Sequence, residues 1–209
     1  MATMRTLLIE PTQADLPIAD DVASALSASG HEVVRCTEPG ADAFPCKGLT
    51  HEGCPLEGPP VHAVVALRER PTAPPTAGES GITCALRTGL PVVVVGAEEA
   101  EPGPLAEWTE VCTDVDRLSG SIERAVETAA ERRAEPLVRE VRRVLAVEGI
   151  DAGEVRVDVS RDGDLAHLTV RTELSLDARV SGVVATRVHA VDAGGAWPTT
   201  KVAVAVIPL

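Results

Sequence analysis

The chain has 209 residues and a formal net charge of −13, from 32 acidic and 19 basic residues. A surface of that charge repels a phosphate backbone, which argues against non-specific nucleic-acid binding. With one Phe, two Trp and no Tyr, the core must be aliphatic, and aromatic platforms for stacking bases are scarce.

The first apolar run of the chain is short. Residues 7–9 (Leu-Leu-Ile) precede Glu10, and three apolar residues fall far short of a signal-peptide core or a membrane span. We therefore expect a cytoplasmic protein. In that reducing compartment five cysteines, an odd number, favour metal ligation or redox chemistry over a disulfide framework.

Short apolar runs alternate with segments of helical period over the first two thirds of the chain. The predicted strands are 5–10, 31–35, 61–67, 91–95 and 110–113, and the predicted helices are 18–29, 82–88 and 115–133. Strands that alternate with helical crossovers indicate an α/β fold, in which a doubly wound parallel sheet has helices on both faces.

The pattern changes near Pro136. The remaining elements are predicted as a helix at 137–147, strands at 154–159 and 165–174, a helix at 177–191 and a strand at 201–207. This order describes a small α+β domain of the form α-β-β-α-β. We therefore expect two domains, at residues 1–134 and 135–209, with a long cysteine-rich loop at 36–60 in the first.

The first domain resembles a response-regulator receiver domain over about residues 5–130. The resemblance is carried by the segments 7–10 (Leu-Leu-Ile-Glu), 31–34 (His-Glu-Val-Val), 90–95 (Leu-Pro-Val-Val-Val-Val) and 111–118 (Val-Cys-Thr-Asp-Val-Asp-Arg-Leu). It implies a flavodoxin-like sheet of five strands in the order 2-1-3-4-5.

Receiver chemistry itself is not expected here. Receivers need an acidic pair after the first strand, where only Glu10 stands, and a phosphoacceptor Asp after the third, where the chain reads Ala66-Leu67-Arg68. The Lys that follows the fifth strand in receivers is also missing. Without the acceptor carboxylate and clustered acids, neither phosphoryl transfer nor Mg²⁺ binding is supported. The resemblance therefore implies a degenerate, non-catalytic receiver.

The second domain resembles the alkaline-shock-protein family and, equally, the cytoplasmic domain of cation-diffusion transporters. The resemblance is carried by the segments 148–151 (Glu-Gly-Ile-Asp), 155–159 (Val-Arg-Val-Asp-Val), 168–170 (Leu-Thr-Val) and 201–206 (Lys-Val-Ala-Val-Ala-Val). Because those families use such domains mainly for dimerisation or scaffolding, it implies a protein partner or self-association through this domain. The acidic charge and the lack of a membrane segment predict no nucleic-acid partner and no membrane.

Four cysteines are predicted to converge at one edge of the first sheet. Cys36 ends the second strand, Cys46 and Cys54 lie in the loop that follows, and Cys84 lies near the start of the helix after the third strand. The carboxyl ends of parallel strands share an edge, where ligands gather. Four thiolates there would suit an iron–sulfur cluster or a tetrahedral Zn²⁺.

The choice of metal depends on the loop. Prolines beside Cys46 and Cys54 stiffen it, and Gly48 and Gly53 would let backbone N–H groups approach sulfide, which favours an iron–sulfur cluster of the 4Fe–4S type. The nine- and seven-residue spacers match neither a zinc-knuckle nor a ferredoxin signature. His51 keeps a Cys₃His zinc site open, and a structure without metal stays an alternative, since free cysteine is often a small buried hydrophobe.

Two further assignments concern single residues. Cys112 ends the fifth strand, about 19 Å from Cys36 at roughly 4.8 Å per strand, and is predicted to be a buried structural cysteine.

His31, like the other scattered histidines (His62, His167 and His189), is interpreted as an ordinary histidine with its hydrogen bonds satisfied.

These observations favour one function over two others. The first is a non-catalytic redox or metal sensor with a Cys-ligated centre. The second is a scaffold protein with structural zinc or no metal. The third is a thiol-dependent enzyme with Cys84, at its helix start, as nucleophile.

Overall fold

The structure is a computed structural model that describes residues 3–10, 17–38, 41, 45–68, 79–96, 108–162, 165–193 and 201–209. The chain forms two compact units, Met1–Glu127 and Thr128–Leu209. No helix within these described ranges combines the length and the apolar character that a bilayer crossing requires.

The first unit is a doubly wound α/β sheet, as predicted. Its elements are β1 (Arg5–Ile9), α1 (Pro17–Ala28), β2 (Glu32–Arg35), β3 (Ala63–Leu67), α2 (Ser80–Arg87), β4 (Val92–Val95), β5 (Thr109–Cys112) and the beginning of α3 (Leu118–Val147). The five strands are all parallel in the order β2-β1-β3-β4-β5. The predicted fold class and strand order are confirmed.

The central strands are apolar on both faces because helices cover both. Leu8, Val65 and Val93 belong to one buried cluster, which includes residues of α1 and α3. Their neighbours along the strands, such as Val64, belong to the other cluster, which includes Ile82 of α2. A strand buried on both faces has no polar alternation, which explains the four successive valines of β4.

The second unit is an α-β-β-α-β domain, again as predicted. It contains the later part of α3 followed by β6 (Val155–Asp162), β7 (Leu165–Thr172), α4 (Ala178–Ala193) and β8 (Lys201–Pro208). The sheet order is β6-β7-β8, with β6 antiparallel and β8 parallel to β7. One cluster of buried residues joins the helices to one face of this sheet, and its members include Leu137, Val141, Val157, Leu168, Val170, Val180 and Val184.

Helix α3 differs from the prediction. The segments 115–133 and 137–147 were expected as separate helices with a domain boundary at 134/135, but a single helix runs from Leu118 to Val147 through Pro136, and the units divide within it. Proline removes one helical hydrogen bond. Buried apolar residues on both sides of it, such as Ile122 and Val141, keep the helix continuous.

His31 is buried, and its ring lacks hydrogen bonds. The residue is 6% exposed, and neither ring nitrogen has a hydrogen-bond partner among the described residues. The interpretation of His31 as a satisfied histidine was therefore wrong. Burial lowers the pKa of His31, and the carboxylate of Glu123 opposes that shift. The folded protein thus favours the neutral imidazole.

We expect acid to weaken the first unit through His31. Because the pKa of His31 is lower in the folded state, the unfolded chain takes up the proton first, and stability is lost as pH falls below about 6.5. Denaturant unfolding between about pH 7.5 and about pH 5.5 measures this loss. The variant His31→Leu removes the titrating group and should flatten that dependence; an unchanged pH profile in the variant would contradict the assignment.

Candidate metal centre

The end of β2 lies beside the first turn of α2. A Cβ atom placed on Gly81 would lie 3.7 Å from the Sγ of Cys36 and 2.7 Å from the Cδ1 of Ile9. A larger residue at this position would require the Ile9 side chain to move, so glycine allows the close approach of the helix without that shift. The arrangement puts the Cys36 thiol near the unpaired N–H groups at a helix start, which favour negative charge.

The long loop folds back onto the same place. The amide N–H of Lys47 donates to the carbonyl oxygen of Cys36 at 2.7 Å, and a 3₁₀ turn, Lys47–Leu49, follows directly after Cys46. Gly48 in that turn lies against Cys54, since a Cβ on Gly48 would be 3.2 Å from the Cys54 Cβ. Backbone contacts thus bring Cys46 and Cys54 back to the end of β2.

Lys47 also joins the two flanks of the loop. Its ammonium lies 2.6 Å from a carboxylate oxygen of Glu38 and 3.4 Å from one of Glu52. The hydrogen bond to Lys47 lowers the pKa of Glu38, and the same bond raises the pKa of Lys47. Sequence patterns did not indicate these two ion pairs, because separations of nine and five residues in an irregular loop follow no helical or strand period.

The pKa of the Cys36 thiol indicates that the other predicted ligands lie near it. Burial is the largest cause that raises the pKa of Cys36, to about 12. Three further thiols raise this pKa in turn, those of Cys54, Cys46 and Cys84, while Lys47 acts in the opposite direction. Coulomb interactions weaken with distance, so all three thiols lie within electrostatic reach of Cys36.

Accessibility differs among these cysteines. Cys36, Cys46 and Cys54 are partly buried, whereas Cys84 is exposed. His51, the alternative ligand, is exposed on the loop. The region therefore has a half-buried side, formed by the loop and the strand end, and a solvent-facing side, formed by α2.

The thiols are not drawn together around a single ion. Within the described ranges, no group of three or more His, Cys, Asp or Glu side chains is arranged to hold one metal ion. Four sulfur atoms at 2.3 Å from a shared zinc would lie only about 3.8 Å apart. The four thiols thus lie in one region of the structure but do not form a closed tetrahedral site.

Cys112 lies outside the region that contains the other four thiols. It is 3% exposed, packs in the cluster shared by α1, α3 and the sheet, and its thiol donates to the carbonyl oxygen of Asp114 at 3.0 Å. The prediction of a buried structural cysteine is confirmed.

Two ion pairs involve residues at the carboxyl ends of the strands. Glu10, after β1, accepts a hydrogen bond from Arg35 Nε at 2.8 Å. Arg68, after β3, pairs with Glu79 at the start of α2, and both side chains are almost fully buried. The guanidinium groups neutralise carboxylates at the edge where receivers bind Mg²⁺. Glu10 and Arg68 were identified from the sequence, but their partners, Arg35 and Glu79, were not, because the partners lie 25 and 11 residues further along the chain.

The sequence was also compared with known proteins. No protein-family model matches the chain, and no curated protein matches it in sequence. What can be inferred about this centre therefore comes from the residues of the chain itself.

Proposed function

We propose that this protein is a non-catalytic regulator that binds an iron–sulfur cluster through Cys36, Cys46, Cys54 and Cys84 and senses redox state or metal supply. The observation that carries the proposal is geometric: the backbone hydrogen bond from Lys47 to Cys36 and the close approaches of Gly81 to Cys36 and of Gly48 to Cys54 gather the four cysteines at the end of β2. Thiols gathered this way cannot all ionise unless a cation neutralises them. A bound metal supplies that charge, because coordination deprotonates thiols outright.

The loop that holds Cys46 and Cys54 favours a cluster over a single zinc ion. A cubane of iron and sulfide is larger than one ion, and its sulfides accept hydrogen bonds from nearby backbone N–H groups. Gly53 has a φ of +81°, and a Cβ there would have no heavy atom within 4 Å, so no side chain crowds the loop backbone at that point. Backbone N–H groups can then approach sulfide, a contact that tunes such clusters.

A bound cluster would also order the loop, which is the basis of the sensing role. Leu49, the one large apolar side chain of the 3₁₀ turn, is 69% exposed, so apolar burial contributes little to holding the turn. Metal binding there is coupled to local folding. Oxidation or loss of the cluster would release the loop and change the surface that partners meet.

The rest of the proposal concerns setting and partners. A cytoplasmic location fits the chemistry, since a reducing compartment keeps free thiols available as ligands. The second unit contributes protein interaction, either with a partner or with a second copy. In this scheme the first unit is a receiver-like domain without receiver chemistry, because its edge carboxylates pair with arginines.

One observation favours a second candidate. Cys84 is exposed on α2, one turn beyond the start of the helix, where a thiol is accessible to a substrate. A thiol-dependent enzyme would use Cys84 alone. Substitution of Cys46 would then leave the reactivity of Cys84 towards an alkylating reagent unchanged.

The deciding experiment is anaerobic purification of the full chain, with iron, sulfide and zinc analysis and a visible absorption spectrum. We expect a brown protein with about four iron and four sulfide per chain, as a 4Fe–4S cluster requires. Cys46→Ser should lose the chromophore, whereas the matched variant Cys112→Ala should keep it. One zinc per colourless chain would support the scaffold alternative, and the absence of both metals would overturn the metal centre.

A further inference from the structure

Strand β8 forms one edge of the second sheet. The order β6-β7-β8 gives it a single strand neighbour among the described residues, β7. Six residues in succession, Val202 to Ile207, carry no charge, and the strand is eight residues long. A long, apolar edge is a template for pairing with another strand, so proteins usually protect such edges with charges, bulges or proline. On β8 the charged residue, Lys201, and the proline, Pro208, stand only at the two ends of the strand.

The opposite edge of the same sheet has that protection. On β6, Arg156 and Asp158 extend into solvent, with side chains 64% and 55% exposed. Charges on an edge strand oppose pairing with a second strand of the same kind. The asymmetry between β6 and β8 therefore points to pairing at β8 in particular.

The side chains of β8 are also incompletely covered. Val202, Val204 and Val206 pack against the core of the second unit but stay only partly buried, while Ala203 and Ala205 are exposed on the other face. A neighbouring strand with the same alternation would extend both faces, valine beside valine and alanine beside alanine.

We propose that β8 pairs antiparallel with β8 of a second copy, which joins the two three-stranded sheets into one of six strands. The inference deepens the interaction role proposed above for the second unit. Residues directly opposite in a sheet point to the same face, so valines must face valines. Centring the pair on Val204 places Val204 beside the partner's Val204 and Ala203 beside the partner's Ala205.

The alternation of valine and alanine in β8 favours a second copy as the occupant. Each chain carries a formal charge of −13, so two copies repel over most of their surfaces. The uncharged run of β8 is where they can approach closely, and its own alternation is self-complementary. A strand pair alone buries less than the roughly 1,200 Å² of standard interfaces, so we expect a weak dimer with a dissociation constant on the order of micromolar.

The test is sedimentation velocity of the full chain, under reducing conditions, from about 1 to about 200 µM, a range that spans a micromolar equilibrium. The variant A203K/A205K places lysine opposite lysine twice in the proposed register and should raise the dissociation constant at least tenfold. The variant A203K/A205E places lysine opposite glutamate and should dimerise at least as well as the wild type. Ser160→Lys, a matched exposed substitution on β6, should change nothing.

Each outcome decides the proposal. A wild-type chain that stays monomeric at every concentration overturns it, as does a dimer that A203K/A205K leaves intact. A dimer lost equally in A203K/A205E overturns the register. Should A203K/A205K fail to fold, A203E/A205E places glutamate opposite glutamate twice and tests the edge in its place, with the same expected loss of the dimer. None of these measurements depends on metal content, so failure of the iron–sulfur proposal would be seen separately.

Discussion

Replacing Glu79 with Gln is expected to destabilise the first unit by about 3–5 kcal/mol, because it removes the carboxylate charge that pairs with the buried guanidinium of Arg68. The side chains of Arg68 and Glu79 are 2% and 5% exposed, so solvent cannot compensate for the loss. Hydrogen exchange of the β3 and β4 amides reports the stability of this unit without interference from the second.

A double substitution serves as the control for this pair. Arg68→Met together with Glu79→Leu removes both charges and fills similar volume, so it should restore most of the stability that Glu79→Gln removes. A loss below about 1 kcal/mol in Glu79→Gln would show that the pair is not isolated from water.

The substitution Glu79→Gln should also affect the candidate metal centre. Glu79 is the N-terminal cap residue of α2, the helix that carries Gly81 against Cys36 and, one turn later, Cys84. A loosened helix start separates these two cysteines. We therefore expect Glu79→Gln to bind less iron on reconstitution than the wild type, and the double substitution to recover it.

The second large effect is expected at Asp192. Its two carboxylate oxygens accept hydrogen bonds from Nε and Nη2 of Arg133 at 2.5 and 2.6 Å, and the side chains are 3% and 8% exposed. Asp192→Asn keeps the shape but leaves a buried positive charge, which should cost about 3–5 kcal/mol of unfolding free energy in the second unit.

An exposed pair on the same helix is the matched control. Glu135 and Arg139 are four residues apart on α3, and their side chains are 71% and 66% exposed. Glu135→Gln should change the stability by less than about 0.5 kcal/mol. Hydrogen exchange of the β7 amides measures the unfolding free energy of the second unit in both Asp192→Asn and Glu135→Gln. Equal losses of stability in the two variants would contradict the distinction between buried and exposed ion pairs.

Much of the fold could be predicted because its signals are local. Four successive valines in β4 indicated a strand buried on both faces, and the alternation of Val155, Val157 and Val159 indicated one with a single buried face. The strand order came from the receiver resemblance together with the rule that strands joined by helical crossovers run parallel. Cys112 was predicted to be a buried structural cysteine because its strand lies four strand spacings from Cys36, which left it outside the metal centre.

Other features depended on residues that are distant in sequence. Charge patterns alone did not indicate the pairing of Arg68 with Glu79, or of Arg133 with Asp192, 59 residues apart. The burial of His31 without hydrogen bonds and the continuity of α3 through Pro136 also departed from the local pattern. In each case tertiary packing outweighed a local preference.

The amino-acid sequence by itself determined the two sheets, their helices and the placement of four cysteines on or beside one edge, because hydrophobic period and strand endings are properties of neighbouring residues. Only the tertiary structure decided how near the thiols come, which carboxylates are neutralised and which strand edge is left unprotected. Those outcomes depend on the path of the whole chain, which places residues distant in sequence side by side and buries charged pairs such as Arg68 with Glu79.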